Sequence, residues 1–168
     1  MDYEERKVLK KIKMGELISL ARDLVKIPSI NPPGNEKQVA ELIYSRMERA
    51  GFDVEIEEVL PDRPNVVATL HGRVGEPTLL FHAHTDVIPP DGKWSNNPFG
   101  AELVDGKIYG RGIADMKGSL AAMIVAMEAL KESGIELAGT LKLAAVIDEE
   151  RFSRRNKKIH SSRVIVKP

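Results

Sequence analysis

Three short groups of side chains carry donor atoms that could act together. The first is His84-Thr85-Asp86, where an apolar run gives way to polar residues. In an extended chain, residues i and i+2 share a side, so His84 can present a neutral imidazole to a cation while Asp86 fixes the tautomer of the ring from behind. A histidine at a strand end that meets only solvent or a local partner is the alternative. The second is Asp115 in GRGIADMKG, directly before an apolar helical run. An aspartate there commonly caps a helix, but it could also place one oxygen on each of two metal ions about 3.5–4 Å apart. The third is Asp148-Glu149-Glu150. Three adjacent carboxylates repel unless they are solvated, protonated or shared with cations. If shared, they divide the work: Glu150 ligates, and Glu149 takes a proton from water whose pKa a metal has lowered to about 7.

The chain contains no cysteine. Disulfides and thiolate metal sites are therefore excluded, and any metal must be held by imidazole and carboxylate. The glycine-rich loop does not make a nucleotide fingerprint. GRGIAD has Asp115 where the third small residue belongs, and it follows a hairpin pattern rather than the first strand of a βαβ unit.

The elements that must position these groups are legible from periodicity. Leu17, Leu20, Ala21 and Leu24 fall at helical spacing, as do Val39, Leu42, Ile43, Met47 and Ala50 ahead of Gly51, a helix stop. PSINPPGN between them reads as a turn, with Asn35 the candidate N-cap. FDVEIEEV (52–59) and NVVATLHG (65–72) read as strands, and PTLLFHAH (77–84) as a buried strand. AELVDGKIYG predicts a hairpin about Asp105-Gly106, the stretch from Met116 to Gly134 a long helix, and 139–150 a last strand. Met123 and Met127 share that helix spacing and are expected in the core. His82 is expected to pack or to support the site, and His71 to lie at the surface. The pattern predicts the α/β class, a partial three-layer sandwich with a mixed, partly parallel sheet flanked by helices. All three candidate groups fall beyond strand ends, where such sheets bind ligands.

At 168 residues the chain is long enough for one domain with a substantial core. Its formal net charge of zero conceals a division. Residues 151–168 hold seven basic side chains and no acid, leaving 18 basic against 25 acidic in residues 1–150, a net of −7. The charged N-terminus lacks a signal-peptide core and the longest apolar run, LAAMIVAM, is too short to span a bilayer, so a cytoplasmic protein without membrane contact is expected.

FHAHTDVIPP, then Trp94 and PFG, then DGKIYGRGIADMKGSLAAM, then VIDEE, in this order and spacing, resemble the dizinc amidohydrolase family of acetylornithine deacetylase, succinyl-diaminopimelate desuccinylase, aminoacylase and glutamate carboxypeptidase. The likeness covers residues 14–150. It implies His84 as the histidine ligand of one metal, Glu150 as a ligand of the other, Asp115 as the bridge, Glu149 as the general base and Asp86 as the carboxylate supporting the histidine. It further implies two zinc ions, with cobalt as a substitute. The substrate class it implies is a small N-acyl amino acid or peptide.

After Glu150 the family pattern breaks off. The expected glycine-containing turn, a further acidic ligand, a late histidine and a lid or dimerisation domain are not recognisable. The expectation is therefore a division into 1–150, the N-terminal part of a catalytic domain, and 151–168, a basic tail outside the family pattern. Such a truncated, impaired enzyme would retain two ligands per metal. His160, the only later histidine, sits in a basic run that repels cations. An inactive fragment, a subunit completed in trans and a binding protein using its tail are the alternatives. Nucleic-acid binding is disfavoured, because Phe152 is the tail's sole aromatic. Strands left without partners predict self-association through an exposed sheet edge.

Overall fold

The computed structural model describes residues 2–74 and 77–152. A short surface helix α1 (Tyr3–Leu9) opens on a reciprocal capping box between Asp2 and Glu5. Then come α2 (Met14–Lys26), α3 (Lys37–Arg49), β1 (Asp53–Leu60), β2 (Arg63–Leu70) and β3 (Thr78–His84). A hairpin of β4 (Glu102–Val104) and β5 (Lys107–Tyr109) leads through a wide helical turn at Ile113–Lys117 into α4 (Gly118–Ser133). The described chain closes with β6 (Thr140–Val146) and α5 (Glu149–Phe152).

Four strands form one mixed sheet in the order β1-β2-β6-β3. β1 pairs β2 and β2 pairs β6 antiparallel, whereas β3 and β6 run parallel with His84 opposite Val146. A parallel pair needs a crossover, and α4 supplies it. Helices flank the sheet as the α/β reading requires. Val66 and Ala68 of β2, Ala83 of β3, and Leu141, Leu143 and Ala145 of β6 share one face, where they meet Leu20, Leu24, Ile43, Met47, Leu120 and Ile124 from the helices. The period-2 and period-3.6 patterns thus converge on a single core. Met127 is fully buried in it and Met123 packs against it, as their spacing predicts. Gly51 follows α3 in the left-handed region, at φ +79°.

Several details differ from the sequence reading. β3 is half-exposed: Leu79 is 60% exposed because β3 is the last strand in the sheet order, while His84 at its polar end is buried at 4%. Position in the sheet overrides side-chain apolarity here. β6 ends at Val146 rather than running to Glu150. Asp148 adopts φ +67°, which turns the chain, and the two glutamates open α5. Asn35 does not cap α3. Its amide donates to the Pro28 carbonyl, and Glu36 occupies the cap position without a side-chain cap bond. His82 is exposed rather than packed, whereas His71 lies at the surface as expected, 3.2 Å from Asp53 Oδ2.

Candidate metal centre

The carboxyl ends of the parallel strands β3 and β6 are tied together by Thr85. Its backbone N–H and its hydroxyl both donate to the Val146 carbonyl, at 2.8 and 3.0 Å. This knot brings His84-Thr85-Asp86 beside Asp148-Glu149-Glu150. Asp115 arrives from the wide turn before α4. Gly112, at φ +80°, makes that approach feasible: a Cβ there would lie 2.4 Å from Val87 Cγ1, so only glycine lets the loop close against the end of β3. Asp115 itself has extended geometry, φ −133° and ψ 97°, and does not cap α4. The capping alternative is thereby removed.

One donor atom from each of His84, Asp115 and Glu150 lies within 4.8 Å of the others. His84 is buried, Glu150 half-buried and Asp115 exposed, so the set has a closed back and an open front. His84 Nε2 stands 3.1 Å from Asp115 Oδ1 and 3.8 Å from Glu149 Oε2. On the other side of the ring, Nδ1 faces the main-chain carbonyl of Asp86 at 3.0 Å and its carboxylate at 3.5 Å. The histidine is thus fixed with Nε2 toward the carboxylates. The Asp86 carboxylate accepts the backbone N–H of Glu149 (3.2 Å) and of Glu150 (3.1 Å), which fixes the residues that carry the two glutamates.

The electrostatics favour a positive charge at this spot. Burial opposes the charged imidazole of His84, but hydrogen bonds to Asp86 and Asp115 outweigh it and hold its pKa up to about 9. Burial likewise works against the Asp86 carboxylate, yet His84, Asn31 and the Glu150 N–H keep it below the ordinary range. Burial, with repulsion from Asp115, Asp86 and Glu149, raises Glu150 despite the attraction of His84. Carboxylates this crowded require a proton or a cation. One imidazole and two carboxylates are a mixed nitrogen and oxygen donor set with an open face, which fits zinc or a similar divalent ion.

Beside this cluster lies a cleft of about 200 Å³ lined by Ile88, Gly110, Arg111, Gly112, Asp115 and Glu150. A larger cavity of about 490 Å³ is lined by charged side chains, among them the Arg46–Glu128 ion pair and Lys131. It lacks a convergent donor set, so the smaller cleft is the one next to chemistry.

Sequence reading missed four buried polar residues at this end of the sheet. Asn31, Glu36, Arg63 and Lys117 are 1%, 0%, 6% and 0% exposed. Asn31 sits in the PSINPPGNE turn, Arg63 was placed before β2, and Lys117 was part of a helix. The one available signal was a lone arginine abutting Pro64-Asn65 at the start of an apolar strand. His160 lies outside the described residues.

Comparison with known proteins accords with this geometry. The model of peptidase family M20/M25/M40 matches residues 80–167, a span that crosses Glu150 and runs on through most of the basic segment. Succinyl-diaminopimelate desuccinylase of Gluconacetobacter diazotrophicus is 42% identical over 137 residues, covering 79% of this chain and 34% of that protein. Human carnosine dipeptidase 1 superposes with a TM-score of 0.71 at 26% identity, covering 83% of this chain and 34% of that one. A dinuclear metal binding peptidase from the M20 family of Bacillus subtilis gives a TM-score of 0.58 at 25% identity, covering 81% of this chain and 36% of that one. The chain spans about a third of the length of the curated relatives it matches, 34% and 33% for two of them. With the matched span, the shared α/β fold and the convergent ligand cluster in view, this chain belongs to peptidase family M20/M25/M40.

Proposed function

We propose that this chain carries part of the metal centre of a hydrolase that cleaves amide bonds in small N-acyl amino acids or peptides. The observation that carries the reading is the convergence of His84, Asp115 and Glu150 within 4.8 Å at the carboxyl ends of two parallel strands. In it His84, Asp115 and Glu150 are the ligands, Asp115 being able to face two ions at once. A divalent ion such as zinc, or cobalt in its place, held by these residues would supply Lewis-acid chemistry toward an amide carbonyl and water. Glu149 is the general base. Its side chain is 57% exposed with Oε2 3.8 Å from His84 Nε2, so it reaches the open front of the cluster. There it accepts a proton from water and returns it to the leaving amine. Asp86 holds both the histidine ring and the backbone of the two glutamates. The relatives' names, a desuccinylase and a dipeptidase, support the substrate class without choosing an acyl group.

The test is zinc binding by calorimetry on the full chain, followed by hydrolysis of N-succinyl, N-acetyl and dipeptide substrates. Binding lost in His84→Ala and Asp115→Ala, with any hydrolysis lost in Glu149→Gln while binding persists, is expected. Zinc bound with equal affinity by the wild type and His84→Ala would overturn the assignment.

A further inference from the structure

Asn31 lies in the turn between α2 and α3, far in sequence from the ligands, yet its side chain meets two of the site's acids. The turn is pinned beside the end of β3: the Asn31 N–H donates to the Val87 carbonyl and the Val87 N–H to the Ser29 carbonyl, both at 2.9 Å. From there Nδ2 donates to Asp86 Oδ2 at 2.9 Å and to Asp148 Oδ1 at 2.8 Å. These two carboxylates close different strands and repel each other; the amide bridges them. Oδ1 of Asn31 is buried with no hydrogen-bond partner among the described residues. A buried amide kept only to satisfy its own loop would place its oxygen on a main-chain donor. Here the orientation is dictated by the two acids alone, since turning the amide over would aim its oxygen at both carboxylates.

The bridge has an anchor. Arg63 donates to Asp148 Oδ1 at 3.1 Å and grips Glu36 with two bonds of 2.7 and 2.6 Å. Asp148 is therefore held from both sides, and Asn31 transmits that fixed point to Asp86. Asp86 in turn carries the His84 ring and the N–H groups of Glu149 and Glu150. Glu36 and Asp148 are buried against the Arg63 guanidinium, while Asp86 faces the His84 ring on the side of the cluster.

We propose that Asn31 is a positioning residue for the metal centre: by bridging Asp86 and the Arg63-anchored Asp148, it sets the affinity of the cluster for a divalent cation without touching the cation. The inference rests on the metal-centre reading above and extends it to a residue outside the family-matched span.

Titrating zinc and cobalt into the full chain, with calorimetry and cobalt absorption as readouts, tests it. Asn31→Leu keeps the size and removes the donors, and is expected to weaken cation binding about 10- to 100-fold and to alter the cobalt spectrum. Arg46→Leu is the control. It removes another two-bond ion pair, to Glu128 in the C-terminal half of α4, roughly 15 Å along that helix from Gly118. It is expected to lower the melting temperature and leave cation affinity unchanged. Asn31→Ala, smaller and likewise without the donors, provides a second variant should the leucine not be accommodated, and is expected to weaken binding by a comparable factor. Wild-type affinity in a folded Asn31 variant, or an equal loss in Arg46→Leu, overturns the proposal. So does failure of both Asn31 variants to fold, which makes the bridge a folding element. A wild-type chain that binds neither ion sinks the metal-centre reading itself, a separate and recognisable outcome.

Discussion

Gly34→Ala tests the buried ion pair that anchors this end of the sheet. Gly34 has φ +96°, and a Cβ built there would lie 2.2 Å from both Cζ and Nε of Arg63. Ordinary contact begins near 3.4 Å, so the guanidinium would have to retreat by more than an ångström. Its bonds to Glu36, at 2.6 and 2.7 Å, cannot survive such a shift. Two costs then add. Forcing alanine into the left-handed region costs about 1–2 kcal/mol. Parting a buried pair and leaving Glu36, which is 0% exposed, without its counter-ion costs about 3–5 kcal/mol. The total of about 4–7 kcal/mol rivals the whole stability of a typical domain, about 5–15 kcal/mol. At about 2–4 °C per kcal/mol for a chain of this size, the melting temperature should fall by roughly 10–25 °C. Gly92→Ala separates the two costs. Gly92 has φ +69° and nothing within 4 Å of its built Cβ, so it bears the backbone cost alone. Its expected fall is about 2–8 °C. Thermal melts of both variants by circular dichroism decide the matter: equal shifts would show that Arg63 is not held as described, and the reasoning would fail.

Lys117 is fully buried with Nζ donating to the Ile27 carbonyl at 2.7 Å, and burial, only partly offset by Asp86, lowers its pKa from 10.5 to about 7. Between those two values the unfolded chain binds the extra proton, so stability should rise with pH by up to about 1.4 kcal/mol per unit. Urea titrations at several pH values in chelator should show that slope in the wild type and lose it in Lys117→Met; the same slope in both contradicts the assignment. Met127 is 0% exposed in the centre of α4, so Met127→Ala should cost about 2–5 kcal/mol through the cavity it leaves, and a loss below 1 kcal/mol by denaturant melts would show a collapsible site. Leu79 is 60% and Leu80 36% exposed on the edge strand β3, so the chain is expected to self-associate with rising concentration and Leu79→Lys with Leu80→Lys to suppress it. A monodisperse wild-type monomer in sedimentation velocity would refute this.

How far the fold was legible depended on whether the deciding force was local. The apolar stripes of α2 and α3 reflect burial of one face, and the apolar runs of α4 and β2 burial on more than one side. Such patterns need no knowledge of the partner, so these elements form close to where the sequence puts them. The hairpin turn was equally local, since Asp105 and Gly106 both take positive φ, 49° and 73°. β3 failed on exposure because burial of a strand depends on its neighbours. Nothing in TLLFHAH says that it is last in the sheet order. β6 failed on length because DEE continues a strand as readily as it leaves one until Asp148 meets Asn31 and Arg63, which lie 117 and 85 residues away.

The same distinction sorts the site. His84, Asp115 and Glu150 were visible because three donor groups, each weak alone, fall at strand ends or in the loops they feed, in the order and spacing of a known family. Asn31, Glu36 and Arg63 were invisible because their only chemistry is with one another and with Asp86 and Asp148. A lone arginine before Pro64 looks like any surface charge until Gly34 is found to leave room for its guanidinium against Glu36. That difference has a physical consequence for the centre. Donors able to meet a cation tolerate solvent on one side, and Asp115 is open to it. The acids behind them do not: Asp86 is 1% exposed, and burial alone would push it toward its neutral form. His84 first, then the loop carrying Asn31 and the backbone of Glu149 and Glu150, hold it in the charged form. The three clustered donors therefore depend on partners contributed by the first quarter of the chain, and a fragment beginning after the α2–α3 turn would keep His84, Asp115 and Glu150 but lose the bond that bridges Asp86 to Asp148.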